Sequence, residues 1–445
     1  MASAAEQLAA SINFSAFTKA TELKNRIWFT LGALVIYRLG TYIPLPGIDS
    51  AALHNIFQQN AGGILGMFDM FSGGALGRMT IFALNIMPYI SASIIVQLLT
   101  AVSPQLEALK KEGEAGRKTL NQYTRYGTVL LALVQGYGIA TGIEHMQGSP
   151  VTDPGAFFRI TTAITLTGGT IFLMWLGEQI TARGVGNGIS LIIFAGIVAR
   201  LPSAMAALLE LGRTGAVSPV TIALFIVMAV AVIAFIVFME RAQRRILVQY
   251  PKRQQGNRMF GGEASHLPLK LNTSGVIPPI FASSLLLLPA TLASFNSNPN
   301  GTGILAEITA YLAHGRPLYM LLYVALIVFF GFFYTAIVFN PVETADNLRK
   351  YGGFIPGYRP GRATSDYLDY VLTRLTVIGS LYLAAVCVLP EFLVAQYNVP
   401  FYFGGTSLLI VVSVTMDTVA QIHSHLLAHQ YEGLIKKAKL RGGRR

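Results

Sequence analysis

Cysteine is almost missing from this chain. Cys387 stands alone among 445 residues, so neither a disulfide framework nor a cysteine metal site can be built. Lying inside an apolar run, it reads as a small buried hydrophobe. Charge is scarce as well: Asp, Glu, Lys and Arg make up 12% of the residues, against about 25% in soluble domains. With 53% of residues hydrophobic, the balance is that of a polytopic membrane protein. Acids are rarest within the apolar runs, where Glu178 marks one end and Asp417 the last third of the final run. An ion-coupled carrier needs a cluster of acids or unwound carbonyls near mid-membrane, so Asp417 reads as a helix-pairing group rather than a proton site. Catalytic signatures are missing too. There is no HExxH pair, and no serine, cysteine or carboxylate arrangement looks catalytic. The glycines Gly184, Gly186 and Gly188 in RGVGNGIS lack a following Gly-Lys-Ser/Thr and read as a tight turn, not a phosphate loop. His423, His425 and His429 have no acid or cysteine beside them and mark a membrane surface rather than a metal site. The chain is thus expected to be no enzyme and to need no cofactor.

Long apolar runs are present in number. Ten candidate spans cover 27–43, 76–101, 123–143, 157–177, 186–205, 217–238, 273–295, 317–339, 371–391 and 402–422. Most of the 33 lysines and arginines fall in the N-terminal flank, the loops 102–125, 178–185, 239–272 and 340–374, and the C-terminal tail. The intervening loops hold few. That asymmetry puts both termini in the cytoplasm and calls for an even number of spans. The N-terminus, MASAAEQLAASINFSAF, lacks a compact apolar region with a cleavage site, so insertion is expected to rely on the first span. Five spans precede residue 206 and five follow, which permits an inverted repeat although no internal sequence similarity is evident.

One stretch departs from this regularity. Ile64–Phe71 is apolar but far shorter than the roughly 20 residues of a spanning helix. Gly73, Gly74 and Gly77 follow, and the next apolar run carries Pro88 near its middle. A half-span joined by a glycine hinge to a kinked span implies backbone that re-enters the membrane, tolerated only when buried in protein or lining a cavity. A channel or a carrier with a moving part would both fit. The loops 239–272 and 340–374 are too long for turns and are rich in Arg, Lys, Gly and Pro. They are expected to project as structured hairpins whose charge suits a large anionic partner such as ribosomal RNA or an acidic protein face. Ile86 with Ile90, and Ile189 with Ile193, fall four apart on single helical faces, for which ordinary packing is the default.

Motifs covering nearly the whole chain then carry a resemblance. They include YRLGTYIPLPGID (37–49), MFSGGALGR (70–78), ALNIMPYISASII (83–95), QYTRYGT (122–128) and FLMWLGEQITARGVGNGIS (172–190). RRILVQYPKRQQG (244–256), HLPLKLNTSGVIPPIFASS (266–284), FNPVETADNL (339–348), GYRPGRAT (357–364) and VPFYFGGTSLLIVV (399–412) follow in order. The chain resembles the SecY family, the channel subunits of the bacterial Sec protein translocase. The resemblance implies an all-α fold of ten transmembrane helices in two pseudo-symmetric five-helix halves that open as a clamshell. The halves would be residues 1–206 and 207–422, followed by a basic cytoplasmic tail, 423–445. It implies a plug at 62–74 with Ile64, Leu65, Met67 and Phe68 in its body and Gly73 and Gly74 as its hinge. Ile86, Ile90, Ile189, Ile193, Ile280 and Ile410 would form a constriction ring, flexible enough to close round any polypeptide and apolar enough to exclude water when empty. Spans 76–101 and 273–295 would form a lateral gate into lipid, with Ser91 and Gln135 as polar contacts. Arg245, Lys252, Arg253, Arg258 and Arg359 would dock a motor or ribosome, although Asn257 stands where a second basic residue beside Arg258 is expected. Implied partners are the SecE and SecG subunits, the SecA motor, the ribosome, nascent secretory and membrane proteins, and the lipid bilayer of the bacterial inner membrane. The competing class is a secondary transporter of small solutes with a broken second helix.

Overall fold

A computed structural model describes residues 21–49, 53, 69, 72–144, 150–215, 218–250, 253–255, 258–260, 264–293, 316–397 and 405–442. Each of the ten apolar runs carries a helix: α1 (Thr21–Gly40), α2 (Met87–Val102), α4 (Glu114–Glu144), α5 (Ala156–Arg183), α6 (Gly188–Arg213), α7 (Pro219–Arg241), α8 (Ile277–Ala293), α9 (Pro317–Val338), α11 (Arg362–Tyr397) and α12 (Gly405–Gly442). Among the described residues, seven helices are long and apolar enough to cross a membrane, or eight if α2 and the short α3 (Pro104–Lys111) count as one bent span. These two meet at 99°, because Ser103 is extended before Pro104 and the helix must restart there. The most apolar helix, α7, leaves Leu224, Val227, Val230 and Phe238 more than half exposed, a face that hydrocarbon rather than water can cover.

The second span differs from expectation. Residues 72–86 are a run of turns, and Pro88 opens α2 instead of kinking a longer helix. Proline is tolerated in the first helical turn because its missing N–H needs no partner there. Upstream, the positive φ of Gly73, Gly74, Met79 and Asn85 is incompatible with a continuous helix.

The chain divides into two compact units. The first is built mainly from residues up to Pro202 together with Val414 onward, and the second from Ser203 to Ser413. In the first unit α4 packs on α5 through small residues. A Cβ on Gly136 would come within 3.2 Å of the Ala163 Cα. Buried threonines donate to the preceding turn, Thr128 Oγ1 to Thr124 O at 2.7 Å and Thr167 Oγ1 to Ala163 O at 2.7 Å, which pairs these hydroxyls in an apolar setting. The turn between α5 and α6 is clasped from both sides. Val185 N–H donates to Thr30 Oγ1 of α1, and Gly186 N–H to Gln421 Oε1 of α12.

The second unit contains the two long basic loops, and here too the structure refines the expectation. Loop 239–272 is a hairpin. Strands β1 (Gln243–Gln249) and β4 (Ala264–Lys270) pair antiparallel with Ile246 opposite Leu267, and β2 (Arg253–Gln255) pairs with β3 (Arg258–Phe260). Loop 340–374 is not a second hairpin. It opens with α10 (Pro341–Lys350), whose N-terminal amides at Val342 and Glu343 donate to the Asn340 side chain, and α11 has already begun at Arg362. The loops fold as one body: Gln249 and Phe354 exchange both backbone hydrogen bonds at 2.9 Å. Below that bridge Ile246, Val248, Leu269, Ile355, Leu368, Val371 and Leu375 form a shared apolar core. Alternation along β1 turns Ile246 and Val248 inward and Arg245 outward. Truncating the fully buried Leu368 to Ala removes packing worth about 2–5 kcal/mol. Local opening of the hairpin should then rise about thirty-fold or more, read as faster tryptic cleavage at its arginines; unchanged cleavage would mean that the two loops are held independently.

Candidate gate and docking surfaces

The non-helical stretch 72–86 is buried almost throughout, with Ala75, Leu76, Met79 and Ile86 at most 1% exposed. Backbone without helix or sheet survives in an apolar interior only if its polar groups are paired, and a set of hydrogen bonds runs through this stretch. Gly74 N–H donates to Asp69 O, Gly77 N–H to Asp69 Oδ1, Leu76 N–H to Ser72 Oγ, and Thr80 N–H to Ala75 O. Leu45 N–H donates to Met79 O and Ile81 N–H to Ile43 O, tying the stretch to the segment after α1. Helices approach it where they carry glycine. A side chain on Gly169 of α5 would strike the Ile81 carbonyl, and one on Gly73 (φ +66°) would lie 2.9 Å from Gly196 Cα of α6.

The expected hinge sits at the start of this stretch, and its carbonyls are spoken for. Arg38 Nη1 donates to Gly73 O at 3.0 Å, Arg78 Nη2 to the same oxygen at 3.3 Å, and Arg78 Nε to Gly74 O at 3.0 Å. Both guanidinium groups also lie over the Tyr42 ring, at 4.9 and 4.2 Å from its centre. Of the remaining plug residues, Ile64, Leu65, Met67 and Phe68 lie outside the described residues. Asp69 is described and buried, and it forms an ion pair with Arg200 of α6. Sequence reasoning passed over Arg200, although a lone arginine within an apolar run is itself a functional flag.

The six isoleucines of the expected ring share one structural setting. Ile86 is the N-cap of α2 with Ile90 one turn on, Ile189 and Ile193 lie in the first two turns of α6, and Ile280 and Ile410 lie in those of α8 and α12. Ile86, Ile90, Ile193 and Ile410 are buried, and Ile189 and Ile280 half-buried. Ile86, Ile90, Ile189 and Ile193 belong to one unit, and Ile280 and Ile410 to the other. Ser91 and Gln135 are both buried on α2 and α4, which pack together, and among the described residues Gln135 Oε1 has no hydrogen-bond partner. Of the docking residues, Arg245 and Arg359 are exposed on the shared body of the two loops. Arg253 and Arg258 lie on β2 and β3, and Lys252 is outside the described residues. Glu178, at the end of α5, is held by Arg125 of α4 through bonds of 3.1 and 2.7 Å. Asp417 is exposed on α12, and the expected helix pairing is not seen among the described residues.

Comparison with known proteins decides the family. The SecY family model matches residues 80–419. The chain belongs to the SecY family. It is 60% identical over 424 residues to the protein translocase subunit SecY of Rickettsia conorii, covering 94% of this chain and 97% of that one. To SecY of Escherichia coli K12 it is 56% identical over 423 residues, covering 95% and 96%. Among solved structures, a protein-conducting channel superposes with a TM-score of 0.65 at 19% identity, over 92% of this chain and 93% of the other. Sec61 from the canine ribosome–channel complex of the endoplasmic reticulum superposes equally well, at 0.65 and 18%. The SecY assignment makes this chain a channel subunit of a protein translocase, an all-α multi-pass protein of the bacterial inner membrane and not an enzyme. It gives no support to a solute transporter.

Proposed function

We propose that this SecY-family chain forms the pore through which unfolded secretory polypeptides cross the inner membrane and from which apolar segments leave sideways into lipid. The observation that carries this reading is the buried, non-helical stretch 72–86, whose turns are held by backbone and side-chain hydrogen bonds. It leads from the Gly73–Gly74 hinge straight into Ile86 at the head of α2. A static scaffold has no use for irregular backbone at that depth, whereas a gate needs a segment that can leave without unravelling a helix. In this reading all ten apolar helices span the membrane, as two halves with both termini in the cytoplasm. Residues 62–74 stop the pore, and the six isoleucines form a collar that dewets when empty and closes round any chain in transit. The α2 and α8 segments are the lateral gate, tuned by Ser91 and Gln135.

The chain holds no nucleotide motif, so the driving force comes from a partner. SecA or the translating ribosome docks on the basic body formed by the β1–β4 hairpin and the α10–α11 segment, with Arg245, Lys252, Arg253, Arg258 and Arg359 as contacts. SecE and SecG complete the channel within the bilayer.

The test places a photocrosslinking amino acid at Ile86 or Ile410 and stalls a secretory chain in transit. Crosslinks are expected from both positions and none from the lipid-facing Phe329, which is 54% exposed. Contacts from Phe329 alone would move the path to the outer surface and reduce the collar to ordinary packing.

A further inference from the structure

Asp69 is the only charged residue in 62–74, and Arg200 is the only one in the first half of α6. The two side chains meet as an ion pair, with Asp69 9% and Arg200 30% exposed. The Asp69 carboxylate does more than pair. Its Oδ2 accepts from Arg200 Nη1 while its Oδ1 accepts from Gly77 N–H at 2.6 Å, and its backbone oxygen accepts from Gly74 N–H and Ser72 Oγ. One residue thus folds the hinge turn back on itself and fastens it to a neighbouring helix. Arg38 and Arg78 grip the other side of the hinge, at the carbonyls of Gly73 and Gly74. Those contacts lie at the pivot and can persist as the segment swings. The Arg200 contact lies on the swinging side and cannot.

We propose that Arg200 is a gating residue whose ion pair with Asp69 latches the plug shut. This rests on the reading of 62–74 as a plug and adds a residue and a trigger to it. The trigger is water. An ion pair is strong in a dry, low-dielectric pore and weak once the pore is hydrated. A polypeptide entering with its own hydration would loosen the latch in the act of displacing the plug. When the chain has left and the collar has dewetted, the pair regains its strength and closes the gate. No sequence feature of the substrate is consulted, which suits a channel that must accept any chain.

The test is a double-mutant cycle on the complete translocase in planar bilayers, read as open probability of the idle channel. Asp69→Asn keeps an oxygen for Gly77 N–H while removing the charge, and Arg200→Gln removes the other. Breaking one partner of a buried pair shifts the closed–open ratio by roughly a hundred-fold. Each single variant is therefore expected to leak, the double variant to leak no more than either single, and Arg200→Lys to stay nearly tight. Normal assembly and preprotein transport by the same variants distinguish a lost latch from a lost fold. Tight single variants, or effects that add in the double, overturn the proposal. Deleting 63–71 serves as reference: a leaky deletion beside tight single variants overturns the latch alone, and a tight deletion overturns the plug together with it.

Discussion

Excising residues 63–71 is expected to convert an idle, ion-tight channel into one that conducts in the absence of substrate. The deletion removes the short apolar half-span and Asp69, with the acceptors of Gly74 and Gly77 N–H, but leaves Arg38 and Arg78 on the Gly73 and Gly74 carbonyls and the bonds of Leu45 and Ile81 to this stretch. With the proposed isoleucine collar still dewetting intermittently, the variant is expected to flicker rather than stand open. A stopper contributing about 3 kcal/mol to the closed state holds the leaky form below roughly one per cent, so its loss should raise mean current about a hundred-fold. Single-channel recording in bilayers checks this. Unchanged conductance would mean that the half-span seals nothing.

Reversing an exposed charge on the basic body should have a comparable effect on a different step. Arg359 is exposed in GYRPG, and the bond that organises its turn is made by its backbone oxygen, which accepts from Thr364 Oγ1 at 2.8 Å. Arg359→Glu therefore spares the fold and changes only what a partner meets. A charged contact of that kind contributes on the order of 2–4 kcal/mol when it is central to an interface. SecA-driven transport into reconstituted vesicles should fall at least about thirty-fold, with channel assembly unaltered. Transport at the normal rate would remove Arg359 from the docking surface. Leu368 gives the complementary case, since its truncation loosens the body that presents Arg359 without touching the charge.

These two experiments also separate what could be read along the chain from what could not. That each of the ten apolar runs carries a helix was legible because apolarity is a local property: a run of apolar residues favours hydrocarbon on its own account, whatever its neighbours do. The basic character of 239–272 and 340–374 was legible for the same reason. Their fusion into one body was not, because the Gln249–Phe354 bridge joins positions with no shared periodicity, and the core round Leu368 draws from four separate segments. The second span misled for a related reason. Residues 76–86 are as apolar as a helix requires, and only the close approach of Gly169 to the Ile81 carbonyl, with Ile43 and Leu45 bonding the stretch from outside, makes an irregular path affordable. Pro88 was visible, but whether it kinks a helix or starts one depends on what precedes it.

By itself, then, the sequence determined the class of protein, the places of its apolar helices other than the start of the second, and the sign of its charged loops. The ordered motifs added the family, because partition into lipid and long-range electrostatics depend on composition and these depend on nothing further. The tertiary structure alone decided where helix gives way to paired turns and how the two basic loops meet. It also decided that Asp69 faces Arg200 across 131 positions of chain. Each of these is a close contact between distant segments, and its energy depends on distances of a few ångströms that no local pattern records.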